Sequence, residues 1–173
     1  MASKKRFLIV IEGLDGAGLS TQAALLARYL RDKDEEVILT KEPTTSSIGN
    51  LIKAALKHEW NPSPLALQLL FAADRAHHLQ NEIEPALREN KIVISDRYIL
   101  SSLAFGSIDV DQEFLKRGNS TFIKPDLRYL KGKNSFVLTI KRNTKSEKVS
   151  PVLLRLSPHF HKYQVKISHS LIF

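Results

Sequence analysis

The chain has 173 residues, 43% of them hydrophobic, enough for one domain with a sizeable core and without sign of a second. The absence of cysteine excludes disulfides and thiolate metal sites, and the apolar run behind "MASKKRF" is too short for a signal peptide or membrane span, so a soluble, cytoplasmic protein is expected. The formal charge of +8 is uneven: residues 1–127 hold 16 Lys/Arg against 17 Asp/Glu, residues 128–173 hold 10 against Glu147 alone, so the excess reads as a solvated basic tail and not as a nucleic-acid-binding face.

In chain order, "RFLIVIEG" (6–13) is an apolar, β-branched run ending in glycine, as in a buried parallel strand. "STQAALLARYLRDK" (20–33) places Leu25, Leu26, Tyr29 and Leu30 at the spacing of one helical face. "EVILT" (36–40) is a second strand, and "SSIGNLIKAALKH" (46–58) a helix capped by Ser46 or Ser47. Pro62 and Pro64 open a long helical stretch to Asn90, which Pro85 kinks or divides. "KIVISDRY" (91–98) is a third strand, and "ILSSLAF" (99–105) starts another helix. Beyond "IKPDL" (123–127) the pattern loses clarity: "SFVLTI" (135–140) reads as a strand, "KRNTKSEK" (141–148) as a basic loop, and residues 149–173 have no helical period. Alternating strands and helices imply a three-layer α/β/α fold around a central parallel sheet. Ligands bind such sheets at the carboxyl ends of the strands, where "GLDGAGLST" (13–21), "KEPTT" (41–45) and "DRY" (96–98) all fall.

The first of these stretches has the spacing of a phosphate-binding loop, G-x-x-x-x-G-K-[ST], with Leu19 in the place of the lysine. Gly13, Gly16 and Gly18 allow backbone N–H groups to approach a phosphate, and the Ser20 hydroxyl is suited to Mg²⁺. Leu19 removes a preorganised charge worth on the order of 10²–10³ in rate, so either another cation reaches the phosphates or catalysis is impaired. Asp96 ends a strand beside the loop, where a carboxylate holds Mg²⁺ through water, and Arg97 has the fork for a phosphate; a surface ion pair would explain "DRY" equally well. Phe71 and Arg75 share a helical face, which suits a base and its phosphate, although spacing alone favours a core Phe and a solvated Arg. The His77–His78 pair and "HFH" (159–161) lack supporting carboxylates or cysteines in sequence and read as packed or exposed histidines.

"FLIVIEGLDGAGLSTQ", the "EP" after the second strand, "LLFAADR", "DRYILSSLAF" and "KPDL" occur in the order seen in thymidylate kinases, and the chain resembles that family over about residues 5–127. The resemblance implies a P-loop NTPase-type fold, Mg²⁺, ATP as phosphoryl donor, dTMP as acceptor and a homodimer. It implies that Gly13, Leu14, Asp15, Gly16, Ala17, Gly18, Leu19, Ser20 and Thr21 hold the ATP phosphates, with Asp15 also reaching the acceptor sugar. Phe71 would stack on thymine and Arg75 meet the base or phosphate. Arg97 would bind the acceptor phosphate, Asp96 and Ser20 organise Mg²⁺, Ser101 line the thymidine pocket and Phe105 crowd the sugar. With glycine at position 16, a late lid would supply the arginine, and Arg142 within 141–148 is the candidate. Lys41 beside "EP", where the family commonly has arginine, implies a weaker grip on the acceptor phosphate. Residues 128–173 depart from the family pattern, as a frameshift or truncation would make them depart. The alternative to an active kinase is an impaired paralogue that retains the pocket.

Overall fold

The computed structural model describes residues 6–131, together with the backbone of strands at 135–140 and 164–168. Strand β1 (Phe7–Gly13) is followed by helix α1 (Leu19–Arg31), β2 (Val37–Lys41), α2 (Ser47–Leu56) and α3 (Pro64–His78). A π-helical turn (Leu79–Ile83) leads into α4 (Glu84–Arg88), then β3 (Ile92–Asp96), α5 (Ile99–Gly106), α6 (Gln112–Gly118), β4 (Leu127–Lys131), β5 (Ser135–Ile140) and β6 (Gln164–Ser168). The sheet order is β2-β3-β1-β4-β5-β6, and β2, β3, β1 and β4 are mutually parallel. The expected parallel sheet thus holds for four strands, but β5 runs antiparallel to β4, and β6, which no periodicity announced, pairs parallel with β5. The segment after 127 that reads poorly as a strand forms β4 as far as Lys131.

Alternation along β1 divides the core. Phe7, Ile9 and Ile11 pack with Leu19, Ala23, Leu26, Ala27 and Leu30 of α1, and Leu8 and Val10 pack with Leu79, Ile83, Ile99, Leu103 and Leu115 on the other face. The buried face of α1 therefore uses two alanines, and Leu25, expected on that face, is exposed. Ser46 is the cap of α2, its hydroxyl accepting from Gly49 N–H at 3.0 Å, and Ser63 caps α3 ahead of Pro64. Pro85 stands in the first turn of α4, directly after the π turn; without an N–H, and with a ring that crowds the preceding turn, it divides the long helix as expected.

Candidate active site

Gly13 ends the central strand and the loop runs from it into α1. A Cβ on Gly13 would lie 2.3 Å from the Lys131 carbonyl oxygen, so only glycine permits the approach of β1 to β4 there. Gly18, at φ 78°, is the N-cap of α1; no side chain caps it and the first turn has no acidic residue, leaving the helix N-terminus facing the loop. Leu19 is the first residue of α1. It is buried in the core beneath α1, its Cδ2 3.1 Å from the point that a Gly13 Cβ would occupy.

The end of β3 lies against this loop. Ser20 Oγ donates to Asp96 Oδ2 at 2.5 Å, bringing a hydroxyl and a carboxylate oxygen together at a cleft of about 370 Å³ that Lys41, Thr44, Thr45 and Glu82 also line. An all-oxygen pair with one carboxylate fits Mg²⁺, which takes few protein ligands and completes its shell with phosphates and water. Among the described residues no cluster of three His, Cys, Asp or Glu forms a self-sufficient metal cage.

Arg97 has φ 71°, a left-handed conformation in which its backbone N–H donates to Ile11 O and its side chain turns back to the loop. Nη1 donates to Gly13 O and Ser101 Oγ, both at 3.1 Å, and Nη2 to Asp15 Oδ1 at 2.5 Å. The guanidinium lies 5.6 Å from the centre of the Phe105 ring. Asp15, Arg97, Ser101 and Phe105, distributed over 91 residues of sequence, thus form one cluster with the loop. Glu12 supports it from below: buried on β1, it accepts from Ser101 Oγ at 2.5 Å, Leu100 N–H at 3.0 Å and Ser101 N–H at 3.1 Å, and burial raises its pKa above the ordinary carboxylate value against the hydrogen bonds from the Ser101 hydroxyl and Leu100 N–H.

Arg75 sits elsewhere. It is 1% exposed, so a solvated arginine does not describe it. Nε and Nη2 donate to Glu42 Oε2 at 2.9 and 2.7 Å, Nη2 also to Ser102 Oγ at 2.9 Å, and Nη1 to Asn119 Oδ1 at 2.5 Å. Four of five guanidinium N–H groups are thereby engaged, and the Tyr98 ring centre lies 5.2 Å away. Phe71, one turn earlier, is half-buried. Asp74 is equally buried and accepts from Thr44 N–H (2.8 Å), Thr44 Oγ1 (2.6 Å) and Ser46 Oγ (2.9 Å), tying the "EPTT" loop to α3. His78, contrary to the reading from sequence, does have carboxylate neighbours: Nδ1 is 3.1 Å from Glu42 Oε1 and Nε2 3.2 Å from Glu82 Oε2. It is a packed histidine, as expected, while His77 is exposed. Glu12, Glu42, Asp74, Ser102 and Asn119 were given no role of their own from sequence; the glutamate closing the apolar run of β1 and the "EP" motif were the available signals. Arg142, the lid at 141–148 and "HFH" lie outside the described residues.

The thymidylate kinase family model matches residues 11–150. The chain belongs to the thymidylate kinase family. It is 47% identical over 130 residues to a probable thymidylate kinase of Pyrococcus horikoshii, covering 72% of this chain and 63% of the relative, and 46% identical over 134 residues to one of Thermococcus gammatolerans, covering 69% and 62%. The chain therefore spans somewhat less than two thirds of the length of these curated relatives. A crystal structure of thymidylate kinase from Ehrlichia chaffeensis superposes with a TM-score of 0.68 at 25% identity, over 98% of this chain and 90% of that one. Thymidylate kinase from Candida albicans shares the fold, with a TM-score of 0.63 at 24% identity over 96% of this chain and 84% of that one. No helix among the described residues is long and apolar enough to cross a membrane.

Proposed function

We propose that the chain transfers the γ-phosphoryl group of ATP to dTMP, giving dTDP and ADP. The observation that carries this reading is the convergence of Asp15, Arg97, Ser101 and Phe105 on the phosphate-binding loop, in a member of this family. A phosphate oxygen of dTMP bonds to the γ-phosphorus while the bond from that phosphorus to the β–γ bridging oxygen breaks. Catalysis of such a transfer consists mainly of positioning and charge stabilisation.

Residues 13–21 cradle the ATP phosphates with backbone N–H groups and the N-terminus of α1. Ser20 and Asp96 would hold Mg²⁺, which when bound would neutralise charge on the ATP phosphates. Arg97 exchanges its contact with Asp15 for the acceptor phosphate, releasing the carboxylate to the sugar hydroxyl. Phe71 stacks on the base and Phe105 restricts the sugar. Arg75 supports this pocket from within, fixing Glu42 and hence the "EP" loop, with at most one N–H left for a ligand. Arg142 is retained as a lid arginine. We further infer a single catalytic domain, a cytoplasmic location, and a homodimer formed through the apolar side chains that α2 and α3 expose, among them Leu51, Leu56, Leu65 and Leu69.

The test is ADP release from ATP, Mg²⁺ and dTMP, with dUMP as a competing acceptor and sedimentation for the dimer. Release that depends on dTMP is expected. A chain that binds ATP yet forms no ADP with either acceptor would overturn this reading in favour of a binding-only paralogue.

A further inference from the structure

The loop has lost its lysine, yet a lysine lies beside it. Strand β4 ends at Lys131, which is in register with Gly13 at the end of β1. Leu127 and Tyr129 belong to the core beneath α1, and the two-residue period of a strand puts Lys131 on the same face, one step closer to the loop. The residue is 8% exposed, and its Nζ lies 3.8 Å from the point that a Cβ on Gly18 would occupy. Gly18 is the last loop residue before the position where the family motif calls for lysine. Leu19 and Lys131 have in effect exchanged directions: the leucine side chain descends into the core, and the ammonium approaches the same turn from the adjacent strand.

We propose that Lys131 supplies the phosphate-facing cation that Leu19 removes from the loop. The inference rests on the kinase reading above. A lysine ammonium is a compact point charge on a flexible four-carbon stem, so its effect depends on where Nζ arrives and not on which Cα carries it. A phosphate seated at the N-terminus of α1 would be within reach of both the helix dipole and the Lys131 ammonium. During transfer the ammonium stabilises charge on the β- and γ-phosphate oxygens, and the bonds made and broken are those already described.

The experiment compares the native 173-residue chain with Lys131→Met, Leu19→Lys and the double variant, reading MgATP binding by calorimetry, dTMP binding separately, and ADP formation. For Lys131→Met a fall in kcat on the order of 10²–10³, weaker MgATP binding and unchanged dTMP binding are expected. Adding Leu19→Lys to it should restore most of the lost rate. Leu19→Lys alone should raise the rate less than about threefold, because the charge is already present; this arm remains informative if Lys131→Met folds poorly. Native turnover that Lys131→Met leaves unchanged, or a gain of a hundredfold or more from Leu19→Lys alone, overturns the role of Lys131 and leaves the kinase reading standing. Absence of both MgATP binding and turnover in the native chain overturns the kinase reading, and the role of Lys131 with it.

Discussion

Arg75 and Arg97 both lie near the carboxyl edge of the sheet and both bind a carboxylate, but in opposite surroundings. Arg75 and Glu42 are almost completely enclosed, with Asn119, Ser102 and the Tyr98 ring closing the remaining sides. Arg97 is 20% exposed and its partner Asp15 is 85% exposed, on a loop that ends at a helix N-terminus. A guanidinium held on most of its N–H groups by buried partners fixes geometry, since moving it would leave Glu42 charged and unpaired in a dry environment. One held by an exposed carboxylate can trade that partner for a phosphate at small expense. On this contrast rests the proposed division between support at Arg75 and ligand contact at Arg97.

The strongest challenge to this division is Arg75→Ala. It should destabilise the fold by about 3–5 kcal/mol, because Glu42 would lose its buried partner; chemical denaturation measures this, and a loss below about 1 kcal/mol would remove the support role. Arg97→Ala should do the reverse, lowering turnover roughly 10²–10³-fold while shifting stability by less than about 1 kcal/mol. Parallel assays and melts decide that pair. Asp96→Asn should raise the Mg²⁺ concentration for half-maximal rate by about tenfold with little change in dTMP affinity, as a Mg²⁺ titration would show. The smallest effect concerns Glu12. Burial raises its folded-state pKa, so its contribution to stability is complete below pH 4.5 and is lost as the pH rises through the raised value. Glu12→Gln should flatten stability against pH over that interval, and an unchanged profile would assign the titration to other groups.

Much of this architecture was legible in the chain because local signals and tertiary demands agreed. The apolar run at 6–13, the Ser46 cap and Pro85 each act within a few residues and behave as the sequence implies. The phosphate loop and "SDRY" were recognisable since their chemistry sits at strand ends. What escaped depended on distant partners. Asp74 meets Thr44 across 30 residues, and Arg75 meets Asn119 across 44, separations no period encodes. Arg75 looked solvated because arginine is seldom enclosed without partners, and the partners were invisible. On α1, Ala23 and Ala27 take core positions, and the larger Leu25, expected on that face, is exposed. Helix α6, with seven residues, is too short for a periodic signal, and Asp111, whose carboxylate accepts from Phe114 N–H at 2.8 Å, was its one marker.

The contact between Gly13 and the Lys131 carbonyl has a dynamic consequence. With no room for even a methyl group between them, the start of the loop and the end of β4 cannot slide independently. A nucleotide that immobilises the loop will therefore slow amide hydrogen exchange along 127–131 as well as in 13–21, reporting occupancy from a strand that follows the loop by more than a hundred residues.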